Sequence, residues 1–312
     1  MVIARYTPDF RDRWNDFAAR SRCPSFLFRR DYMEYHSDRF ADCSLLAFNT
    51  RGRLLAMLPA EISGDTVSSH RGLSYGGWIT PRRHFNGTTM LELFEAATEH
   101  LRAAGVKRLV YSPQPHIYTG VPSDEDVYAL FRLGAVQTSC VLSSAINLRN
   151  PNPWNESTRQ ALKLAVTSGV EVHESADYPA YWEILSNRLE TKHGARPVHS
   201  LDEITRLATL FHDNIRLYTA TIDGETIAGA VIYFCGRTAK IQYMATTEKG
   251  RDTKALAAVI DHVLSLCRPS FDYLDMGGST ESGGAVLNSG LLLQKSGFGA
   301  SGVACHTYTL SL

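Results

Sequence analysis

The chain has 312 residues, room for two domains of ordinary size, and is 44% hydrophobic and 21% charged, a balance that leaves little place for disorder. Its 32 Lys and Arg match its 32 Asp and Glu, so no global field recruits nucleic acid or an anionic membrane. No apolar run approaches the roughly 18 residues that span a bilayer. The N-terminus reaches Arg5 and Pro8 before any apolar segment can form, so no signal peptide and a cytoplasmic location are expected. Cys23, Cys43, Cys140, Cys235, Cys267 and Cys305 form no CxxC pair and read as free thiols in a reducing compartment.

Taken in order, residues 10–20 and 29–40 read as helices around the break at Cys23-Pro24-Ser25. Apolar runs at 44–48 and 53–59, joined across Asn49 to Gly52, read as a hairpin, with a third strand near 66–70. After the glycine-rich turn 72–77, Leu91, Phe94, Ala97 and Leu101 set a helical period over 88–104. A strand at 107–112, a helix at 124–133 and a strand at 135–148 complete the half, and Asn150-Pro-Asn-Pro153 reads as a linker.

The second half repeats this order. Helices are expected at 156–168, 178–193 and 201–211, and a hairpin of 216–222 and 226–234 turns at Asp223-Gly224. A strand at 239–246, a helix at 253–267, a strand at 271–276, a helix at 287–295 and a strand at 307–310 follow, with 279–284 a flexible connection. Gly52-Arg-Leu-Leu-Ala56 lies over Gly224-Glu-Thr-Ile-Ala228, and Leu130 to Gly134 over Leu293 to Gly297, with Arg132 opposite Lys295. A repeat of about 150 residues is a duplicated domain rather than a solenoid unit. The expectation is two α/β domains of α+β character, 1–150 and 151–312, each a mixed, largely antiparallel central sheet flanked by helices.

Two motifs fail on context. Gly297-Phe-Gly-Ala-Ser-Gly302 satisfies G-x-G-x-x-G but follows a helix and precedes a strand, the reverse of a dinucleotide site. Gly72-Leu-Ser74-Tyr-Gly76 satisfies G-x-S-x-G, yet Trp78-Ile-Thr-Pro81 cannot open the helix a nucleophile elbow needs. The 11 histidines include no HExxH pair, and no metal site is expected. His193 and His199 flank Gly194 to Pro197 in what reads as a solvated loop, where Lys192, His193 and Arg196 together suit an anionic substrate.

The chemistry concentrates after Phe271. A strand ending at Gly277 and Gly278, then a helix delivering Lys295 near its C-terminus, is a frame for gripping a carbonyl or phosphate. Asp275 and Glu281 flank that loop as possible bases, although Asp after a strand is also an ordinary turn residue. Lys295 also suits the negative end of its helix dipole, and Tyr243, within a strand, reads first as core.

Arg159 to Val170 (RQALKLAVTSGV), Ile227-Ala-Gly-Ala, Gln242-Tyr-Met-Ala, the Lys295-Ser-Gly-Phe-Gly299 tail and Tyr75-Gly-Gly77 resemble the Fem-type peptidyltransferase branch of the GNAT acyltransferases. The likeness covers most of the chain and is strongest from about residue 155. It implies tandem GNAT folds and acyl transfer to an amine acceptor of muropeptide type, with acyl-CoA or aminoacyl-tRNA as co-substrate and no tightly bound cofactor. The neutral charge gives no electrostatic footprint for tRNA. Lys295 matches the lysine that helps hold substrate phosphate and the developing oxyanion, and Tyr243 would line the cleft. The usual pyrophosphate loop is replaced by Thr247-Glu-Lys-Gly-Arg-Asp-Thr-Lys254, where Lys249, Gly250, Arg251 and Lys254 could grip an anion. A second reading is a catalytically inactive Fem-like module that binds a cell-wall precursor or nucleotide sugar.

Overall fold

The structure, a computed structural model, describes residues 1–312, with the side chain of His193 outside the described set. Two compact units form, one of Met1–Leu142, Thr280–Val286 and Ala304–Leu312, the other of Ser143–Ser279 and Leu287–Val303.

The first unit contains β1 (Val2–Arg5), α1 (Arg11–Ala19), α2 (Arg30–Met33), β2 (Ala41–Asp42), β3 (Leu45–Phe48), β4 (Leu54–Leu58), β5 (Glu61–Ser63), β6 (Thr66–Ser69), α3 (Gly87–Ala103), β7 (Arg108–Tyr111), α4 (Glu125–Arg132) and the first part of β8 (Val136–Asn147). Strands β1, β3 and β4 make an antiparallel sheet. A second sheet runs β2-β5-β6-β7 and is parallel only at β6/β7, which α3 connects. The core joins Leu93, Phe94, Ala97 and Leu101 of α3 to Leu45, Leu58, Val67, Leu109 and Tyr111 of the strands. Each such side chain contributes about 1.5–3 kcal/mol by leaving water. The expected helix at 29–40 is only the single turn α2 plus a 3-10 turn. The next helix after Ser74 begins at Gly87, so no nucleophile elbow exists there.

The second unit continues with α5 (Glu156–Thr167), β9 (Glu171–Ser175), α6 (Tyr178–His193), α7 (Leu201–Leu210), β10 (Ile215–Ile222), β11 (Glu225–Cys235), β12 (Thr238–Thr246), α8 (Glu248–Asp252), α9 (Ala255–Cys267) and β13 (Tyr273–Gly278). After β14 (Thr280–Glu281) and β15 (Val286–Leu287) come α10 (Ser289–Gly297) and β16 (Ser301–Ser311). Strand order is β9-β10-β11-β12-β13, then residues 143–147 of β8, antiparallel except for β12/β13.

Strand β11 is buried along nearly its whole length because both faces are covered. Ala228, Ala230, Ile232 and Phe234 join Val259, Ile260, Val263 and Leu264 of α9 in one cluster. On the opposite face Gly229 lies under the Tyr181 ring of α6, so close that a Cβ would approach it to 2.8 Å. Alternation along a strand produces both contacts. Asn155 caps α5 by accepting from Thr158 N–H, and Ser200 with Glu203 forms a capping box on α7.

Several expectations are corrected. The chain divides into units at 142/143 rather than 150/151, and Ala304–Leu312 belongs to the first unit, where β16 pairs antiparallel with β7. Asn150 to Pro153 is no free linker, since Asn152 Nδ2 donates to Gly299 O at 3.2 Å and to Ser301 Oγ at 3.1 Å. Strand β9 was not expected: only Val172 of its five residues packs on the core, so no apolar alternation marks it. Residues 279–284 hold β14 and a 3-10 turn, with Gly284 pressed against the Cys140 backbone. Among the described residues no helix is long and apolar enough to cross a membrane.

Candidate active site

Strands β12 and β13 are paired for only three rungs, Thr238 with Tyr273, Ala239 with Leu274 and Lys240 with Asp275. Beyond them β12 runs on to Thr246 while β13 turns to its other neighbour, where Gly278 faces Ser143. The two parallel strands therefore part after Lys240 and Asp275, leaving an opening with a lip on each strand. A bulge in β12 at Gln242, opposite the Val231/Ile232 step of β11, coincides with the parting.

The β13 lip carries Asp275, Gly277 and Gly278. Asp275 is buried, and its Oδ1 accepts from Ser143 Oγ at 2.7 Å and from Gly277 N–H at 2.9 Å. That carboxylate anchors the strand end, which is not the environment of a free base. Gly277 adopts φ +79°, a conformation glycine reaches without a steric cost. Lys295 is 5% exposed and donates from Nζ to Gly277 O at 2.7 Å and to Gly278 O at 2.6 Å. Burial draws its ammonium down to about 8, against the opposing pull of Asp275. Two of its three N–H groups are thus committed to backbone, and one remains for a substrate oxygen. Arg132, its partner in the internal repeat, is instead exposed on α4 and donates to Tyr128 Oη at 3.1 Å.

The β12 lip carries Tyr243. Its hydroxyl lies 2.6 Å from His199 Nδ1 and accepts from His199 N–H at 3.3 Å, while Trp182 packs edge-on at 5.2 Å. Burial holds the phenol above its usual range, so it stays protonated at neutral pH. His199, read from sequence as a solvated loop residue, is buried at 3% exposure. Its partner lies 44 positions away, a separation no local pattern signals. Lys192 and Arg196 are exposed beyond it, His193 lies outside the described side chains, and Glu281 is an exposed residue of the first unit.

Where β12 ends, a pocket of about 560 Å³ opens, lined by Thr246, by Gly250 and Arg251 of α8, by Lys254, Leu256 and Ala257 at the start of α9, by the first turns of α5 and by the end of α10. Lys254 takes a left-handed conformation (φ 57°) and no side chain caps α9. An uncapped helix N-terminus facing a pocket presents unpaired N–H groups and the positive end of a dipole. Arg251 and Lys254 add two cations there. Lys249 does not join them; it pairs with Glu225 at 2.6 Å on the surface and lines no part of this pocket. Among the described residues no group of His, Cys, Asp and Glu could hold a metal ion.

The parted parallel strands thus have a helix N-terminus at the mouth of the gap and a second helix behind it. Residues 155–282 match the family described as the acetyltransferase (GNAT) domain. No curated protein matches the sequence. Among solved structures the chain is similar to FemX, with TM-score 0.72 and 11% identity over 100% of this chain and 98% of that one. It is also similar to L-PGS from Bacillus licheniformis (TM-score 0.58, 11% identity, 89% and 91% covered). A tandem GNAT protein from the clavulanic acid biosynthesis pathway matches at TM-score 0.52 and 13% identity, over 99% and 98% of the two chains. At these identities the likeness establishes a shared fold.

Proposed function

We propose that the second unit transfers an acyl group from a phosphate-bearing donor, an acyl-CoA or an aminoacyl-tRNA, to the amine of an envelope-type acceptor such as a muropeptide. The observation that carries this reading is the 560 Å³ pocket at the uncapped N-terminus of α9, with Arg251 and Lys254 on its wall. The donor's phosphate would sit there and its acyl end would extend between the lips of β12 and β13.

In that arrangement the neutral amine attacks the acyl carbonyl carbon, and the new C–N bond forms as the carbonyl oxygen becomes an oxyanion. Lys295 supplies positive charge and its third N–H to that oxygen, the kind of fixed donor worth several kcal/mol in a dry site. Collapse of the adduct breaks the bond to the leaving sulfur or oxygen, which takes a proton from the phenol of Tyr243, and the surplus proton of the attacking nitrogen passes through water to the phenolate left behind. Asp275 holds the β13 lip in place.

Arg251→Ala combined with Lys254→Ala should raise KM for the donor at least about tenfold, with kcat altered far less, because a phosphate contact binds ground state and transition state alike. Initial-rate kinetics with acetyl-CoA and with aminoacyl-tRNA would show it. An unchanged KM for both donors would place the phosphate elsewhere. Tyr243→Phe should lower kcat and leave KM within about twofold; an unchanged kcat would restrict Tyr243 to packing against His199 and Trp182.

A further inference from the structure

Tyr243 is gripped twice by one residue. His199 precedes Ser200, the N-cap of α7, whose capping box with Glu203 fixes the backbone there. From that position His199 turns both its backbone N–H and its ring onto the Tyr243 hydroxyl, which lies 3.3 Å from the backbone nitrogen and 2.6 Å from Nδ1. The residue before an N-cap often packs an apolar side chain against the helix. Here that place holds a buried imidazole aimed at a phenol, its ring edge-on to Tyr243 at 5.8 Å and to Tyr233 of β11 at 6.5 Å.

A buried phenol is satisfied by a single partner, so a second from the same residue calls for a reason. A phenolic oxygen has one proton and two lone pairs. If the O–H pointed at Nδ1, that proton would be withheld from the leaving group. If Nδ1 carries the hydrogen instead, His199 fills both lone pairs, one with its backbone N–H and one with its ring N–H. The phenol's own O–H is then turned away from His199, toward the parting of β12 and β13. The same two donors meet the negative charge that appears when the proton leaves, and a hydrogen bond to an ionised oxygen is roughly twice as strong as one to a neutral oxygen. The surroundings act in the same sense. Burial raises the phenol, while the His199 backbone, then the Gln242 side chain and the Val198 backbone, pull it back, with the carboxylate of Glu203 on α7 opposing them.

We propose that His199 is the positioning residue of Tyr243: as the Nδ1–H tautomer it keeps the phenol's proton turned into the gap and stabilises the phenolate formed when that proton passes to the leaving sulfur or oxygen. This rests on the acyl-transfer reading above and gives a role in it to a residue that acts only through Tyr243. No proton leaves His199 itself. One passes from Tyr243 to the leaving atom, and the phenolate regains one from the attacking nitrogen through water.

The tautomer is read by nitrogen NMR on the full chain carrying isotope-labelled histidine, with the His199 ring signals assigned by their loss in His199→Asn. A proton on Nδ1 is expected, and a bare Nδ1 with the proton on Nε2 overturns the proposal. Initial rates with acetyl-CoA and with aminoacyl-tRNA, and a muropeptide amine as acceptor, test the consequence. His199→Leu should lower kcat about tenfold or more, with KM for the donor within about twofold. His199→Asn places an amide N–H where Nδ1 stood and should restore most of the rate. In a Tyr243→Phe background His199→Leu should change nothing further, because its effect runs through the phenol. A further drop there would make His199 a packing residue and overturn the proposal, with the transfer reading intact. A wild type that transfers from neither donor would sink the transfer reading and the proposal together.

Discussion

Lys295→Met is expected to slow acyl transfer by at least about a hundredfold while shifting the melting temperature by only a few degrees. The small thermal effect follows from opposing contributions. Burying the ammonium depresses it from 10.5 to about 8, a cost on the order of 3 kcal/mol that methionine removes. Against this, the Gly277 and Gly278 carbonyls lose their donor, at about 1–3 kcal/mol each if they stay dry. The transfer rate has no such compensation, because the cation that grips the β13 lip is gone. Stopped assays and thermal melts of the same preparation separate the outcomes: an active variant would remove Lys295 from the chemistry, and a collapsed one would make it a structural strut.

The same residue sets a pH signature. Transfer that needs the ammonium should decline as pH rises through about 8. Stability should move the other way between 8 and 10.5, since there the unfolded lysine keeps a proton that the folded one has released, and stability rises with pH wherever the unfolded state binds more protons. The Met variant should lose that rise.

Gly250→Ala should destabilise the second unit by about 2 kcal/mol or more, a drop of several degrees in a chain of this size, and abolish donor binding with it. A Cβ at Gly250 would overlap the Ile227 carbonyl oxygen and Thr246 Oγ1. That carbonyl is not free to yield: it accepts from Thr247 N–H at 2.9 Å, Thr247 Oγ1 at 3.1 Å and Thr246 Oγ1 at 3.2 Å. Moving α8 away displaces Arg251 and the start of α9 together. Lys249→Ala, on the same short helix but paired outward with Glu225, should leave donor affinity as it was. Thermal melts with and without acetyl-CoA on the two variants would separate them; a stable, donor-binding Gly250→Ala would mean the α8 turn tolerates the shift.

Much of this was legible in the residues themselves. Apolar periodicity, glycine stops and the Asp223-Gly224 turn placed most helices and strands, and the faint repeat pointed to a duplicated domain. Arg251, Lys254 and Gly250 stand where the resemblance places a phosphate loop, and they meet at one pocket. Lys249 was marked on the same grounds, but a helical turn aims neighbours about 100° apart, and it faces outward.

What the sequence determined by itself was the order of elements, the fold class and the segment rich in chemistry, because these follow from local periodicity and from residue type. Only the tertiary structure decided which groups meet. The Tyr243–His199 pair, the grip of Lys295 on Gly277 and Gly278, and the α5 turn facing α9 join residues 17 to about 100 positions apart. The return of β16 to the first unit is of the same kind. Contacts of that separation are chosen by which faces can be buried together, a property of the whole packed chain that no window of sequence contains.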